Sequence, residues 1–393
     1  MTSAPEPELG AGRWVPRISD WRIWLGFGIT AVCVWLAVRG IPLVEVAQAI
    51  EGTHFWSLLA LSAPCYLLSV YFRALRWRYL VQPVAEVPRS MLYRSTALGF
   101  AGNNLLPLRV GELIRAWSLA RGAKIPLASV VGTIALERVL DAVTVLVMAL
   151  GGLGYLASAA PAGPDGPSEL TRALGQGAML LIPAAAAPVL VLVLLRLAPA
   201  RSIRFVMLCA RVLPSGIQVS LESAMHGFVE GLGALRGGRH LLWIALDSVM
   251  IWLVTGTAPI LLGFYFFGIE MGGPLDTLVH AWILLGAVGA AVAIPSAPGF
   301  IGPYQLAFTA VLVPFGVAKP TALALGVVVW LIFWLTLTAQ GLLYAAFSPG
   351  EGFELGRGRS KVLERKADRK SQGWRLICRV EPTEKSDEGE HGS

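Results

Sequence analysis

Apolar runs long enough to cross a bilayer recur along the chain, separated by polar turns. A crossing helix needs about 20 mostly apolar residues to span about 30 Å of hydrocarbon. Six stretches approach that length: residues 23–38, 56–72, 128–157, 177–197, 241–267 and 321–347. Two further apolar stretches, one between the second and third of these and one between the fifth and sixth, are interrupted by Pro and Gly. The pattern predicts re-entrant or broken helices there, because irregular backbone at membrane depth is tolerated only where protein buries it or water fills a cavity. The expected fold is an all-α polytopic membrane protein with about six transmembrane helices and two broken elements. It divides into an N-terminal segment 1–22, a membrane domain 23–347 and a mostly disordered tail 348–393.

Composition agrees: 55% of residues are hydrophobic, only 15% are charged, and the mean hydropathy is +0.64. Lys and Arg placement sets orientation. With a cytoplasmic amino terminus, the inside segments collect 28 of the 32 basic residues, and the outside loops keep Arg39, Arg172 and Lys319. Both termini are therefore expected inside. The first apolar run is read as a membrane anchor and not a cleaved leader, since Ala37-Val38-Arg39-Gly40 offers no small-x-small cleavage site and Trp21 and Trp24 flank the run. The four cysteines and five histidines are scattered, without metal-ligand or disulfide spacing, and no metal or cofactor is expected. His280, in an apolar stretch, is read as a packing residue.

Polar chemistry concentrates between Gly99 and Asp141. Asn103, Asn104, Arg109, Glu112, Arg115, Glu137, Arg138 and Asp141 stand there among membrane-grade apolar residues. An ionisable side chain at that depth costs roughly 2.5 to 3.5 kcal/mol on insertion scales, so such a cluster suggests a functional site. Glu112 and Arg115 are spaced i, i+3, and Glu137 and Asp141 i, i+4, as residues sharing a helix face would be. At ~1.5 Å per residue, Glu137 falls about 14 Å along its helix, near the middle of the layer. A polar substrate cavity and a set of ion pairs holding helices in register both fit this pattern. An arginine fork suits phosphate, and a carboxylate suits an amine or a proton.

The two broken stretches resemble each other. Gly99, Gly102, Pro107 and Gly111 in the first correspond to Gly286, Gly289, Pro295 and Gly299 in the second, with the same Pro-to-Gly spacing. With three crossings and one broken element in each half, this predicts an inverted repeat of the kind found in secondary transporters, whose substrate sites lie near midplane where broken helices meet. Pro295, Pro298, Gly299, Gly302 and Gln305 are the candidates from the second break. Arg73, Arg76, Trp77 and Arg78 close the second span and are expected to anchor at the cytoplasmic interface or grip anionic headgroups there. Asp247 is a lone acid in the fifth span.

The chain resembles the transmembrane region of lysylphosphatidylglycerol synthases, the flippase-like domain family. The resemblance covers about residues 20–347. It rests on Arg-Ala-Leu-Arg-Trp-Arg at Arg73 to Arg78, Leu-Pro-x-Arg-x-Gly-Glu-x-x-Arg at Leu106 to Arg115, Glu-Arg-Val-Leu-Asp at Glu137 to Asp141, and Pro-x-x-Pro-Gly-x-x-Gly at Pro295 to Gly302. Where family members commonly carry a glutamate after an aromatic, this chain has Tyr304-Gln305. The resemblance implies a bacterial inner-membrane protein that moves or binds a lipid with a polar headgroup. The full-length synthases add a soluble aminoacyl transferase domain, and about 45 residues after the last span are too few for one. The sequence has no Gly-x4-Gly-Lys, His-Glu-x-x-His or Gly-x-Ser-x-Gly motif, and transport would draw on downhill exchange or an ion gradient. The expected partner is a phospholipid or polyprenyl-phosphate lipid, not nucleic acid. The alternatives are an integral-membrane lipid-modifying enzyme, with Glu137 or Asp141 as base, and a non-catalytic partner of a separate one.

Overall fold

The computed structural model describes residues 21–159, 197–212, 238–294 and 297–347, with isolated residues between 190 and 229. The expected span 177–197, most of the loops around it, Pro295 and the tail from residue 348 lie outside the described residues. Within them every regular element is helical.

The first helix, α1 (Trp21–Val38), ends at Gly40, whose φ of 73° suits a residue without Cβ. Pro42 then starts α2 (Leu43–Glu51), and the pair is bent by 81°. The sequence pattern showed the first apolar run but not this bend. Four helices follow: α3 (Phe55–Val81), α4 (Arg89–Leu105), α5 (Val110–Ala123) and α6 (Leu127–Ala159). A short helix, α7 (Pro199–Cys209), precedes α8 (Gly238–Trp252), which continues through a π-turn at Leu253–Thr257 into α9 (Ala258–Phe266). The chain then forms α10 (Pro274–Ala293), α11 (Pro303–Leu312) and α12 (Lys319–Phe347).

Among the described residues, five helical stretches are long and apolar enough to cross a membrane: Phe55–Val81, Leu127–Ala159, Arg239–Phe266, Pro274–Ala293 and Lys319–Phe347. Counting α1 and α2 as one bent span makes six. The molecule is thus a multi-pass membrane protein. The stretch before the second break, Pro274–Ala293, is an unbroken helix of 20 residues and qualifies as a span in its own right. Its break comes later, where Ile294 turns extended and Pro298–Phe300 makes a 3-10 turn.

Two helical hairpins organise the centre. In the first, α4 and α5 pack against each other around a tip at Leu106–Arg109. Gly111 makes this approach possible, because a Cβ there would stand 2.0 Å from the Gly99 carbonyl oxygen and 2.3 Å from the Asn103 nitrogen. In the second hairpin, α10 and α11 pack around a tip at Pro298–Gly302. Its glycines do a different job. A Cβ at Gly286 would meet the Ala149 side chain at 2.6 Å, so Gly286 serves the packing of α10 on α6 and not hairpin closure. The matched glycines of the two halves are therefore not equivalent contacts.

The hairpins open at opposite ends of the bundle. The first opens at the carboxyl end of α3, where Trp77 and Leu80 pack with Leu92, Leu119, Val130 and Ile244. The second opens at the amino end of α3, where Phe55 and Leu58 share a cluster with Phe266 and Phe267. The tips meet between those ends. Arg109 at the first tip donates a hydrogen bond to the Val292 carbonyl of the second hairpin and lies over the Phe300 ring at 5.4 Å. Helix α12 runs alongside and touches both tips.

Candidate functional site

A network of arginines and carboxylates joins α3, α5 and α6. Arg115 on α5 donates to both carboxylate oxygens of Glu137 on α6, at 3.0 and 2.8 Å. Its guanidinium also stacks over the Trp77 ring at 3.8 Å, while the Trp77 indole N–H donates to Thr133 at 3.0 Å. From α3, Arg73 donates to Asp141 Oδ2 at 3.0 Å and Arg76 to Asp141 Oδ1 at 2.7 Å. Arg76 also reaches Glu137 at 3.4 Å and donates to Ser248 on α8 at 3.0 Å. The π-turn that follows α8 begins beside Trp252, whose ring lies 5.3 Å from the Arg73 guanidinium, with Phe100 at 5.5 Å from that same guanidinium.

Arg138 bridges the inner and outer parts of the network. It lies 3.0 Å from Glu137, 3.2 Å from Asp141 and 3.8 Å from Glu112. The side chains of Arg138 and Glu112 keep 39% and 30% of their surface exposed, against 0% for Glu137 and 7% for Asp141. Among the described residues, the expected open chamber is therefore closed at its inner part, where oppositely charged groups touch directly, and partly accessible at the Arg138–Glu112 rim. A described cavity of about 350 Å³ lies elsewhere, at the turn between α2 and α3 around Glu51, His54 and Trp56.

The structure corrects the reading of the cluster that closes the second span. Arg73, Arg76 and Trp77 are buried, at 3%, 0% and 0% exposure; the two arginines face the carboxylates of α6, and Trp77 faces Thr133 and Arg115. Their i, i+3, i+4 spacing on α3 turns all three inward together. Arg78, one residue on, is exposed as an interfacial residue would be.

At the tips, main-chain groups freed by the breaks find side-chain partners. Trp334 on α12 donates to the Asn104 carbonyl at 3.1 Å, and Trp330, one turn earlier, donates to the Gly299 carbonyl at 2.7 Å. Asn104 itself is buried, and its amide donates to Thr338 at 3.0 Å. The Asn103 side-chain oxygen is buried without a hydrogen-bond partner. Gly299 and Gly302 have φ of 71° and 94°, which explains glycine at both. Gln305 accepts from the Gly302 N–H at 2.7 Å and so caps α11. A neutral amide suffices for that, and the missing glutamate leaves the cap intact. Pro298 starts the 3-10 turn.

Sequence reasoning brought together the α5 and α6 residues but missed Trp330, Trp334, Thr338 and Ser248. Trp330, Trp334 and Thr338 recur at intervals of four on one face of the last span, a signal readable only once the breaks are known to lie beside it. His280 is a packing residue, with Nδ1 2.6 Å from the Asp276 carbonyl and its ring edge-on to Phe315. Among the described residues no group of His, Cys, Asp and Glu side chains could hold a metal ion.

Fold and site together define a multi-pass helical membrane protein in which two broken hairpins meet beside a buried arginine–carboxylate network. The chain belongs to the family described as Lysylphosphatidylglycerol synthase TM region, whose profile matches residues 23–341. It is also similar to the glycosyltransferase AglD of Haloferax volcanii, 27% identical over 323 residues, covering 76% of this chain and 49% of that protein. The chain thus spans about half the length of the curated relative it matches. No solved structure matches it significantly.

Proposed function

We propose that the chain binds a lipid with a phosphate-bearing headgroup and moves that headgroup between leaflets while the apolar tails stay in surrounding hydrocarbon. The carrying observation is the partly exposed Arg138–Glu112 pair at the rim of the network, beside the tip that bears Arg109. Arg73, Arg76 and Arg115 are already held by Asp141 and Glu137. Arg138, which also contacts Glu137 and Asp141, and Arg109 are the arginines of the cluster left partly exposed to meet a headgroup, with Glu112 as the outermost carboxylate beside Arg138. A guanidinium meets phosphate with parallel N–H donors in a fixed plane, which an ammonium cannot do.

The Lys and Arg distribution supports both termini on the cytoplasmic side, so that the α4–α5 hairpin enters from the cytoplasm and the α10–α11 hairpin from outside, and family membership supports a bacterial inner membrane. Hairpin tips meeting between the two ends suit a carrier that exposes one site to each side in turn. A second reading is a non-catalytic membrane partner of a lipid-modifying enzyme. Its support is the similarity to AglD, a glycosyltransferase by name, of which the matched region is about half.

The test is leaflet exchange of a fluorescent anionic phospholipid in proteoliposomes. Arg138→Ala should slow exchange about tenfold or more, the loss expected from removing one charge-assisted contact, compared at equal amounts of protein shown folded by size-exclusion chromatography, since the change also takes a partner from Glu137 and Asp141. Exchange at the unaltered rate in a folded Arg138→Ala protein overturns the assignment.

A further inference from the structure

Asp247 stands apart from the paired charges of the network. It follows the start of the Arg239–Phe266 span by about two helical turns, roughly 12 Å at ~1.5 Å per residue. The residue is 7% exposed, and among the described residues no donor lies within hydrogen-bonding distance of its carboxyl group. Its neighbour Ser248 is the opposite case. The Ser248 hydroxyl accepts from Arg76 at 3.0 Å and donates to the Ile244 carbonyl at 2.7 Å. Asp247 is thus next in sequence to a partner of Arg76, yet Arg76 directs its donors to Ser248 and to Asp141 at 2.7 Å, with Glu137 at 3.4 Å.

The elements packed on α8 explain why that carboxyl has no donor. From α3, Arg76 turns toward α8 through Ser248, and Arg73 lies over the Trp252 ring at 5.3 Å. From α6, Asp141 and Glu137 occupy those two arginines. Met225 and Val229 pack against the Ile244 cluster from a third side, and the described titratable residues beside them, Glu222 and His226, are exposed. On α8 itself, His240 is exposed at the amino end and meets the Tyr79 ring edge-on at 5.8 Å. A carboxylate at hydrocarbon depth without donors is costly. The neutral acid sheds that charge and gains an O–H donor of its own.

We infer that Asp247 is a proton-binding site of the bundle. The proton sits on its carboxyl while Arg76 is engaged with Asp141, Glu137 and Ser248. Its transfer to water at the amino end of α8 breaks only the O–H bond and leaves a carboxylate that competes for Arg76. The π-turn at Leu253–Thr257, a feature common at functional sites, gives the same helix a place to absorb that change of partner. The site goes beyond the lipid reading and does not depend on it, and its test uses no lipid exchange.

The experiment is infrared spectroscopy of the purified full chain in non-ionic detergent at neutral pH, in light and heavy water. A protonated-carboxyl C=O stretch, shifted by deuteration, should be present. Side-chain 13C-labelled aspartate should shift it and labelled glutamate should not, which separates it from Glu112 and Glu137. Asp247→Asn should abolish it, which separates it from Asp141. Raising the pH until the band disappears should quicken amide hydrogen exchange around residues 244–257, corrected for the intrinsic rate, and should leave Asp247→Asn unaltered. A purely structural counter-ion to Arg76 predicts no band. Wild-type protein without the band, or with a band indifferent to the aspartate label, overturns the proton site whether or not Asp247→Asn folds. Loss of the band with unchanged exchange overturns the competition for Arg76. The lipid reading survives each of these results and falls only on its own assay.

Discussion

Arg115 and Glu137 meet through two parallel hydrogen bonds of 3.0 and 2.8 Å, with the Trp77 ring 3.8 Å from the guanidinium. The pair joins a leg of the first hairpin to the span that follows it. Both side chains are buried, at 6% and 0% exposure, so each depends on the other for its charge to be tolerated. That makes Arg115 a fixed part of the scaffold, whereas Arg138, bound to Glu137 and Asp141 on its inner side, keeps 39% of its side chain exposed on the outer side.

Breaking this pair should cost more than breaking the rim. Glu137→Gln leaves the Arg115 charge without its carboxylate, and removal of one partner of a buried ion pair costs about 3 to 5 kcal/mol. Glu112→Gln removes a 3.8 Å contact between partly exposed groups, worth about 1 kcal/mol or less. Unfolding monitored by a thiol-reactive or fused fluorescent reporter should place Glu137→Gln well below Glu112→Gln in melting temperature. Equal losses would contradict a buried core with an open rim.

Each tip should depend on its own tryptophan. Trp334→Phe leaves the Asn104 carbonyl without its indole donor, and Trp330→Phe does the same to Gly299, each at a cost of about 1 to 3 kcal/mol. Amide hydrogen exchange should quicken around residues 103–111 in the first variant and around 297–305 in the second. Identical exchange maps for the two would show that the tips are not held separately.

Gly111→Ala should disrupt the first hairpin far more than Gly28→Ala disrupts α1. The new methyl at Gly111 would stand 2.0 Å from the Gly99 oxygen, whereas nothing lies within 4 Å of a Cβ at Gly28. The expected outcome is poor recovery of monodisperse Gly111→Ala protein in size-exclusion chromatography beside near-normal recovery of Gly28→Ala. Normal behaviour of Gly111→Ala would mean that the legs of the hairpin can separate.

Single cysteines placed in the turns test the opposed hairpins. Residues 83–86 and Lys124 should react with a membrane-impermeant maleimide from one side of a sealed vesicle, and residues 268–272 and 315–317 from the other, in a background with the native cysteines replaced. Labelling of all four turns from the same side would overturn the arrangement.

Hydrophobic length and the positions of Pro and Gly were enough to place most of the crossings and both breaks, because a bilayer imposes a fixed thickness and penalises unpaired backbone wherever it occurs. The same penalty made Glu112, Arg115, Glu137, Arg138 and Asp141 legible as a cluster from composition alone, since each charge stands in an otherwise apolar stretch. Family membership was legible from the Gly111-Glu112 and Glu137-Arg138 motifs.

Which charges pair was not legible. Arg73 and Arg76 looked interfacial by their place at the end of a span, and only the packing of α3 on α6 revealed that they face Asp141. The difference between a closed core and an open rim has the same origin, since local pattern reports the face a residue occupies and not the helix that covers it. The tryptophans on α12 read as ordinary apolar residues until two distant breaks came to rest beside them. Depth in the bilayer is a property of each segment and can be read along the chain, whereas partnership at that depth is a property of two segments and exists only after they meet.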